Sequence, residues 1–149
     1  MSALTGSVAA LQPDPVFAAI EAHRAAVAAT AAALDLHSDL DEELPIEKCR
    51  SKLTVWEETI VETDDPRWIE AERDVMQAHH NENDAACVLV SECPKTIAGV
   101  LALLQYAIAA DTDGECWPQL ESDDGKRSRS WQYFLIEMLS DALPGTVST

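Results

Sequence analysis

Two adjacent histidines, His79 and His80, begin the cluster in this sequence that most resembles a set of metal ligands. If the segment is helical, Glu72 lies on the same face as His79, and Asp84 lies one turn beyond His80. A di-iron carboxylate bundle would need Glu-x-x-His pairs on two helices, but the residues three positions before these histidines are a methionine and a glutamine. We therefore treat His79, His80, Glu72 and Asp84 as candidate ligands, but expect a solvated polar face without a bound metal or cofactor.

The sequence motifs of the common catalytic centres are missing. There is no GxSxG elbow, no HExxH pair and no glycine-rich phosphate loop. The four cysteines, at positions 49, 87, 93 and 116, show neither a CxxC pair nor a histidine at zinc-finger spacing, which indicates free thiols in a reducing compartment. An enzyme is therefore the disfavoured class of function.

The chain is strongly acidic, with 27 acidic and 10 basic side chains and a formal net charge of -17. Nucleic acids and anionic membranes are bound through Lys and Arg, which displace counterions, so this charge disfavours both. The acids gather in three segments, 35–47, 57–65 and 111–124. Such clusters are typical of solvated loops and helix N-termini. We expect no direct binding of nucleic acid.

Two features bear on the cellular location. No lysine or arginine precedes Arg24, so the N-terminal segment lacks the basic region of a secretory signal. The most apolar stretch, 97–110, is shorter than the roughly twenty residues that a membrane crossing needs, and we interpret it as a buried core helix. The sequence therefore predicts a cytoplasmic protein that neither crosses nor binds a membrane.

The spacing of apolar residues predicts an all-α fold of about five helices in a single domain over 14–143. Its first helix is rich in alanine and begins with Asp14 as the N-cap and Pro15 in the first helical position. Residues 1–13 show no convincing apolar stripe, so they are expected to form a flexible segment. Residues 144–149 are expected to form a frayed tail.

Two apolar stripes at helical spacing mirror each other about Pro66, which predicts a long antiparallel hairpin of two helices, roughly 45–64 and 66–91. This hairpin would pack against the alanine-rich first helix and two C-terminal helices, with Trp56 near Val75. A single helix kinked at Pro66 is the alternative, and it would favour assembly between chains. The first stripe is Ile46, Cys49, Leu53, Trp56 and Ile60, and the second is Ala71, Val75, Ala78, Glu82, Ala85 and Leu89.

Trp56 and Glu82 would test this hairpin. A buried Trp56 would cost about 3–5 kcal/mol of stability when replaced by alanine, whereas an exposed Trp56 would become a binding candidate. Glu82 is the polar misfit of the second stripe. Folding at Pro66 sets it between Lys48, Arg50 and Lys52, which predicts a salt bridge that fixes the helix register.

The last two helices are predicted at 97–110 and about 130–143. Thr96 can cap the first of them, and Gly99 within it indicates close passage of another backbone. Because apolar residues cover most of its circumference, we expect this helix to be central. A Pro-Gly pair at 144–145 would end the last helix. Its inward side chains are Trp131, Phe134, Leu135, Met138, Leu139 and Ala142.

The segment 94–106, PKTIAGVLALLQY, resembles the Pro-x-Thr-x-x-Gly-x-x-Ala-Leu-Leu-x-Tyr helix of small uncharacterised bacterial all-α proteins. The resemblance implies a helical fold and a bacterial cytoplasmic setting. No activity or catalytic residue is assigned to those proteins, so it implies no chemistry.

Three functions are compatible with the sequence. The favoured one is a non-catalytic helical module that binds a protein partner or itself, with a homodimer as one form. The alternative is an acidic mimic of nucleic acid that occupies a DNA-binding protein, which the charge permits. Its carboxylates cluster at loops instead of following one face, so it ranks lower. The third is a helical bundle that binds a metal or a small ligand.

Overall fold

The computed structural model describes residues 13–112, 119–121, 125–126 and 128–146. Within these residues the chain is mostly helical, in agreement with the predicted all-α class. The expectations for the remaining residues, including most of the flexible 1–13 segment and the end of the tail, lie outside the described part of the chain. The elements in order are α1 (Pro15–Glu43), a 3-10 helix (Ile46–Lys48), β1 (Lys52–Leu53), β2 (Glu58–Thr59), α2 (Pro66–Ser91), α3 (Ile97–Thr112), β3 (Gln119–Glu121), β4 (Ser128–Ser130) and α4 (Trp131–Thr146).

The two longest helices begin at Asp-Pro steps, as predicted. Asp14 accepts a hydrogen bond from the Val16 backbone N–H at 3.3 Å, and Asp65 accepts one from the Arg67 N–H at 2.9 Å. In both helices a proline occupies the start, where no N–H is needed for an intrahelical bond. The predicted span of the third helix, 66–91, coincides with α2.

The antiparallel hairpin of the fold is formed by α1 and α2. The start of α1 contacts the segment just beyond α2, because Asp14 accepts a hydrogen bond from the Lys95 N–H. The other end of α1 packs against the start of α2, where Leu40 shares a cluster with Trp68. Of the predicted α2 stripe, Ala71, Ala78 and Leu89 are buried and the other three residues are half-buried, but α1 is the helix that lies along α2. The buried side chains of α2 are Trp68, Ala71, Ala78, Ala86 and Leu89.

The predicted helix over 45–64 is wrong. After the 3-10 turn this segment forms a β-hairpin, in which β1 and β2 pair antiparallel with Lys52 opposite Thr59 and Leu53 opposite Glu58. Valine, isoleucine, threonine and tryptophan dominate 53–61, and these residue types favour extended backbone. The predicted contacts of Leu53, Trp56 and Ile60 with α2 alanines across Pro66 therefore do not form, and the alternative of one kinked helix through Pro66 is wrong as well.

The side chains of that segment are also more exposed than predicted. Trp56 is 93% exposed and Ile46 is 80% exposed, while Leu53 and Ile60 are half-buried. On α2, Val75 and Glu82 are half-buried. A two-residue-per-strand hairpin is too small to enclose side chains between its strands and a helix, so its tip projects into solvent.

A carboxylate clasp joins the starts of α1 and α3. Asp14 Oδ2 accepts hydrogen bonds from the Lys95 N–H at 2.8 Å, the Thr96 N–H at 2.9 Å and the Thr96 hydroxyl at 2.8 Å. Burial raises the pKa of Asp14, but the hydrogen bonds from Thr96, Val16 and Lys95 outweigh it and lower the pKa below its usual value. One negative charge thus serves the positive ends of two helix dipoles.

The residues of the 94–106 segment that resemble a known motif contact α1. The Thr96 hydroxyl accepts a hydrogen bond from the Gly99 N–H, as an N-cap does. A Cβ on Gly99 would overlap the Asp14 carboxylate, so the close neighbour predicted at this glycine is a side chain and not a backbone. At the other end of the motif, the Tyr106 hydroxyl and His23 Nδ1 lie 2.8 Å apart. The motif is therefore explained by the packing of α3 on α1.

The prediction that α3 is the central helix of the fold is wrong. Val100, Leu103 and Ala110 are buried on one face of the helix, but its other large apolar residues face solvent. The reason is topological, because α3 packs on α1 and α4 from one side only. Its exposed aliphatic side chains are Ile97, Leu101, Leu104 and Ile108.

The inward face of α4 agrees with the prediction. Trp131, Leu135, Leu139 and Ala142 are buried, and Phe134 and Met138 pack against the same core. The short sheet of β3 and β4 precedes the helix and contributes Leu120, which is 3% exposed, to that core. The predicted end of the helix at Pro144 is wrong by a few residues, because α4 continues through Pro144 to Thr146.

By length and composition alone, α1 has the character of a membrane-spanning helix among the described residues. Core helices of globular domains and signal sequences satisfy the same two criteria. In this fold α1 buries one face against α2 and α3.

Candidate functional site

The β1–β2 hairpin presents its tip to solvent in a defined conformation. Thr54 and Glu57 exchange backbone hydrogen bonds across the turn, with N···O distances of 2.8 and 3.4 Å. The Thr54 hydroxyl also accepts hydrogen bonds from the Trp56 N–H at 3.3 Å and the Glu57 N–H at 3.0 Å. Such side-chain bonds favour turns over helix. They leave Val55 79% exposed and Trp56 93% exposed.

The base of the hairpin is closed by the buried carboxylate of Asp64. Its Oδ2 accepts hydrogen bonds from the Arg50 N–H at 2.9 Å, the Ser51 N–H and the Ser51 hydroxyl at 2.6 Å. The Ser51 hydroxyl in turn accepts one from the Val61 N–H at 3.0 Å. Burial raises the pKa of Asp64, but the bonds from Ser51 and Arg50 hold it below its usual value. The carboxylate thereby joins the two ends of the hairpin.

Three side chains attach the hairpin to the helices. The Trp68 indole N–H donates to the Ser51 carbonyl at 3.0 Å, and its ring lies against His37 with centroids 4.3 Å apart. His37 Nε2 and Glu72 Oε1 are 2.8 Å apart, and the other Glu72 oxygen accepts a hydrogen bond from the Leu53 N–H at 2.8 Å. We call Ser51, Asp64, Trp68, Glu72 and His37 the hairpin clamp.

A cleft of about 650 Å³ separates the hairpin tip from the middle of α2. Val55 and Met76 supply its apolar lining, which a ligand of mixed character could contact. The other lining residues are polar: Thr54, Gln77, His79, His80, Glu82 and Asn83. The exposed tip and this cleft form one continuous surface of hairpin and α2.

The four candidate metal ligands do not converge. His79 and His80 are exposed at the cleft, and His80 lies 3.5 Å from Asp84 in an exposed pair one helical turn apart. Glu72 belongs to the hairpin clamp, on the side of α2 that contacts α1. In the part of the chain that the structure describes, no three His, Cys, Asp or Glu side chains are grouped so that they could hold a metal ion.

The predicted salt bridge of Glu82 is wrong. Lys48 Nζ instead donates to the Thr63 carbonyl at 2.7 Å, and the Arg50 N–H donates to Asp64. The negative charge of Glu82 instead acts on the buried His23 of α1. The predicted helical hairpin, which would have brought Lys48, Arg50 and Lys52 close to Glu82, does not form.

The buried imidazole of His23 gives the fold a pH dependence. His23 is 1% exposed, and burial lowers its pKa below 6.5, with the charge of Glu82 partly opposing the change. Below pH 6.5 the unfolded chain therefore takes up a proton at this histidine before the folded chain does. The stability that His23 contributes is complete above about pH 6.5 and declines as the pH falls toward the folded pKa.

We therefore expect the free energy of unfolding of the wild-type chain to fall more steeply between pH 7 and pH 5 than that of His23→Gln. Urea unfolding at pH 7, 6 and 5 measures both slopes. His79→Gln is the control, because it makes the same substitution at an exposed position. Equal slopes for the wild type and His23→Gln would show that His23 does not titrate differently in the two states.

No protein-family model, curated protein or solved structure matches this chain. The likeness of 94–106 to uncharacterised bacterial proteins therefore stays a prediction.

Proposed function

We propose that this chain is a non-catalytic protein-binding module whose contact element is the hairpin tip, Val55 and Trp56, together with the adjoining cleft. The partner is a protein that offers an apolar pocket to the indole and a basic rim to the surrounding carboxylates. The observation that carries the proposal is the 93% exposure of Trp56 on a hairpin that buried contacts hold in place.

The exposed indole of Trp56 is suited to a protein interface. Tryptophan is among the residues that contribute most to protein interfaces, because its large apolar ring fills a pocket while its N–H finds an acceptor. In this fold the side chain of Trp56 adds little to the core. Val55 beside it is also exposed, so the tip offers a small apolar patch instead of a single side chain.

The hairpin clamp makes the tip a prepared binding element. A free two-stranded hairpin is only marginally stable in water, so an unsupported tip would have to become ordered when it binds. Here Trp68 and Glu72 fix the hairpin to α2, and Asp64 joins the two ends of the hairpin, before any partner binds. Because the ordering has already taken place in folding, more of the contact energy is available for affinity.

The charge around the tip selects the partner. Glu57 and Glu58 directly follow Trp56 and are exposed, Glu62 beyond β2 is exposed as well, and the whole chain carries a net charge of -17. A basic rim would be drawn to this surface, and attraction of this kind raises association rates and weakens with salt.

The acidic mimic of nucleic acid is the alternative, and a metal- or ligand-binding bundle is the third. A mimic would bind a DNA-binding protein through carboxylates, so it would not require Trp56. A small ligand or metal would occupy the cleft near His79 and His80. The three functions therefore depend on different side chains of the same surface.

Binding of the partner is expected to fall at least about 100-fold in Trp56→Ser, because a buried tryptophan is commonly a hot spot. Immobilised wild type, Trp56→Ser and Ile46→Ser are compared for the proteins that they retain from cells that express the chain. Ile46 is the matched control, since it is 80% exposed but lies outside the tip. A retained protein is then purified, and its affinity for each variant is measured at several salt concentrations.

The proposal is supported if a basic protein binds the wild type and Ile46→Ser but not Trp56→Ser. If Trp56→Ser binds as the wild type does while Glu57→Gln with Glu58→Gln does not, the mimic is supported instead. A partner whose affinity is unaffected by all of these changes would exclude the hairpin tip as the contact element.

A further inference from the structure

An aliphatic stripe on α3 faces solvent. Ile97, Leu101, Leu104 and Ile108 are 65%, 53%, 43% and 66% exposed. Their spacing of four, three and four residues is that of a coiled-coil seam, and it aligns them along the helix axis over about 16 Å. The residues that α3 buries in the core lie on a different face of the same helix. The stripe is thus a second helix-packing face in addition to the one that the fold uses.

This stripe is uncharged in an otherwise acidic chain. The segment 97–110 contains no Asp, Glu, Lys or Arg, although the whole chain has a net charge of -17. Depletion of charged residues marks the centres of protein interfaces. Two copies of such an acidic chain repel each other over most of their surface, and α3 offers a place where they can meet without opposing like charges.

The stripe is also a palindrome, both in residue type and in spacing. Its order is Ile, Leu, Leu, Ile, and the intervals are the same in either direction. When two copies of α3 pair antiparallel about a two-fold axis, Ile97 lies opposite Ile108 of the other copy and Leu101 lies opposite Leu104. A two-fold interface requires this kind of self-complementarity.

The charges at the two ends of α3 favour the antiparallel direction. Lys95 precedes the helix and Asp111 stands near its end, and both are exposed. Antiparallel pairing brings Lys95 of one copy near Asp111 of the other, and each charge lies near the helix end whose dipole attracts it. Parallel pairing would place Asp111 of one copy beside Asp111 of the other, where the two negative charges repel each other.

We infer that a second copy of this chain covers the α3 stripe, so that the protein is an antiparallel two-fold dimer in solution. This interface is separate from the hairpin tip and does not depend on the proposed partner of Trp56. Salt is expected to affect this dimer and the binding of a basic partner in opposite directions. Salt screens the repulsion between two acidic copies and leaves the apolar contact intact, so it strengthens the dimer, whereas it weakens binding of a basic partner.

Sedimentation equilibrium over a concentration series is expected to give twice the chain mass of 16.2 kDa for the wild type, with tighter association at higher salt. Leu101→Lys should weaken self-association by about 100-fold, because it places a charge in the centre of the seam. Leu36→Lys is the matched control, since Leu36 on α1 is 51% exposed and Leu101 is 53% exposed. Circular dichroism checks that each variant is folded.

A pair of introduced charges tests whether the two α3 helices are antiparallel. Leu101→Lys combined with Leu104→Glu in one chain sets lysine opposite glutamate at both crossings of an antiparallel dimer, so the double variant should recover dimerisation relative to Leu101→Lys. In a parallel dimer the same variant opposes like charges. Salt should weaken the recovered dimer, in contrast to the wild type.

A monomeric wild type, or a Leu101→Lys variant that dimerises as well as Leu36→Lys does, would overturn the inference. A double variant that stays as weak as Leu101→Lys would overturn the antiparallel register. Trp56→Ser should remain dimeric, and Leu101→Lys should still bind a protein that recognises the hairpin tip. Failure of the dimer is thereby distinguished from failure of the proposed function.

Discussion

Trp68→Ala is expected to lower the free energy of unfolding by about 3–5 kcal/mol, whereas Trp56→Ala should change it by less than about 0.5 kcal/mol. Trp68 is 5% exposed, packs on His37 and donates to the Ser51 carbonyl, so its removal leaves a cavity and an unpaired buried carbonyl. Trp56 is 93% exposed and leaves neither. The two substitutions remove the same side chain from opposite environments.

Urea unfolding of the two variants and the wild type gives both differences, provided that the slope with urea is unchanged. Trp68→Phe serves as the control, because it keeps an aromatic ring but removes the donor and part of the indole, which should cost about 1–3 kcal/mol. A loss of more than about 1 kcal/mol in Trp56→Ala would contradict the exposed position of its indole.

Asp14→Ala is the second large effect, and we expect a loss of about 3–5 kcal/mol. The change removes the N-cap of α1 and leaves the N–H groups of Lys95 and Thr96 without their acceptor, in a place where the carboxylate is 6% exposed. Asp14→Asn should lose less, since its amide oxygen can still accept. Thermal or urea unfolding at pH 7 measures both variants.

The close approach of Gly99 provides an internal check on Asp14. Gly99→Ala should destabilise the wild type, because the new Cβ would overlap the carboxylate of Asp14. In Asp14→Ala the carboxylate is gone, so Gly99→Ala should cost at least about 0.5 kcal/mol less there than in the wild type. Equal costs in both chains would show that the crowding at Gly99 does not come from Asp14.

Local signals in the sequence were sufficient to place the helix starts. Asp14-Pro15 and Asp65-Pro66 each combine an N-cap acceptor with a proline that needs no donor, and this chemistry is contained in a few adjacent residues. The inward face of α4 was predictable for a similar reason. The residues Trp131, Leu135, Leu139 and Ala142 recur at helical spacing, and all four are buried.

The β1–β2 hairpin was missed because two local signals conflicted. The residues Leu53, Trp56 and Ile60 fall at helical intervals, but the stretch around them is rich in β-branched side chains that favour strands. Burial decided between them. The helix α1 packs along α2, where the segment 45–64 was expected to lie, and that segment contacts α2 only through the hairpin and its clamp.

The hairpin clamp could not be derived from local pattern. His37 and Glu72 are 35 positions apart in sequence, and Trp68 meets Ser51 only after α1 and α2 have packed. The exposed face of α3 was missed for a related reason. Its composition predicts burial, but composition does not tell whether the buried contact lies within the chain or with a second copy of it.

The separation between the hairpin clamp and the tip has an evolutionary consequence. Residues 54–57 form the turn, while the buried contacts that hold the hairpin come from residues outside it. Mutations at Val55 or Trp56 are therefore expected to have little effect on folding, so selection could act on the proposed recognition and on stability independently. With the proposed function, the chain could change its specificity through substitutions in one loop, while the rest of the sequence varies within the limits set by its core.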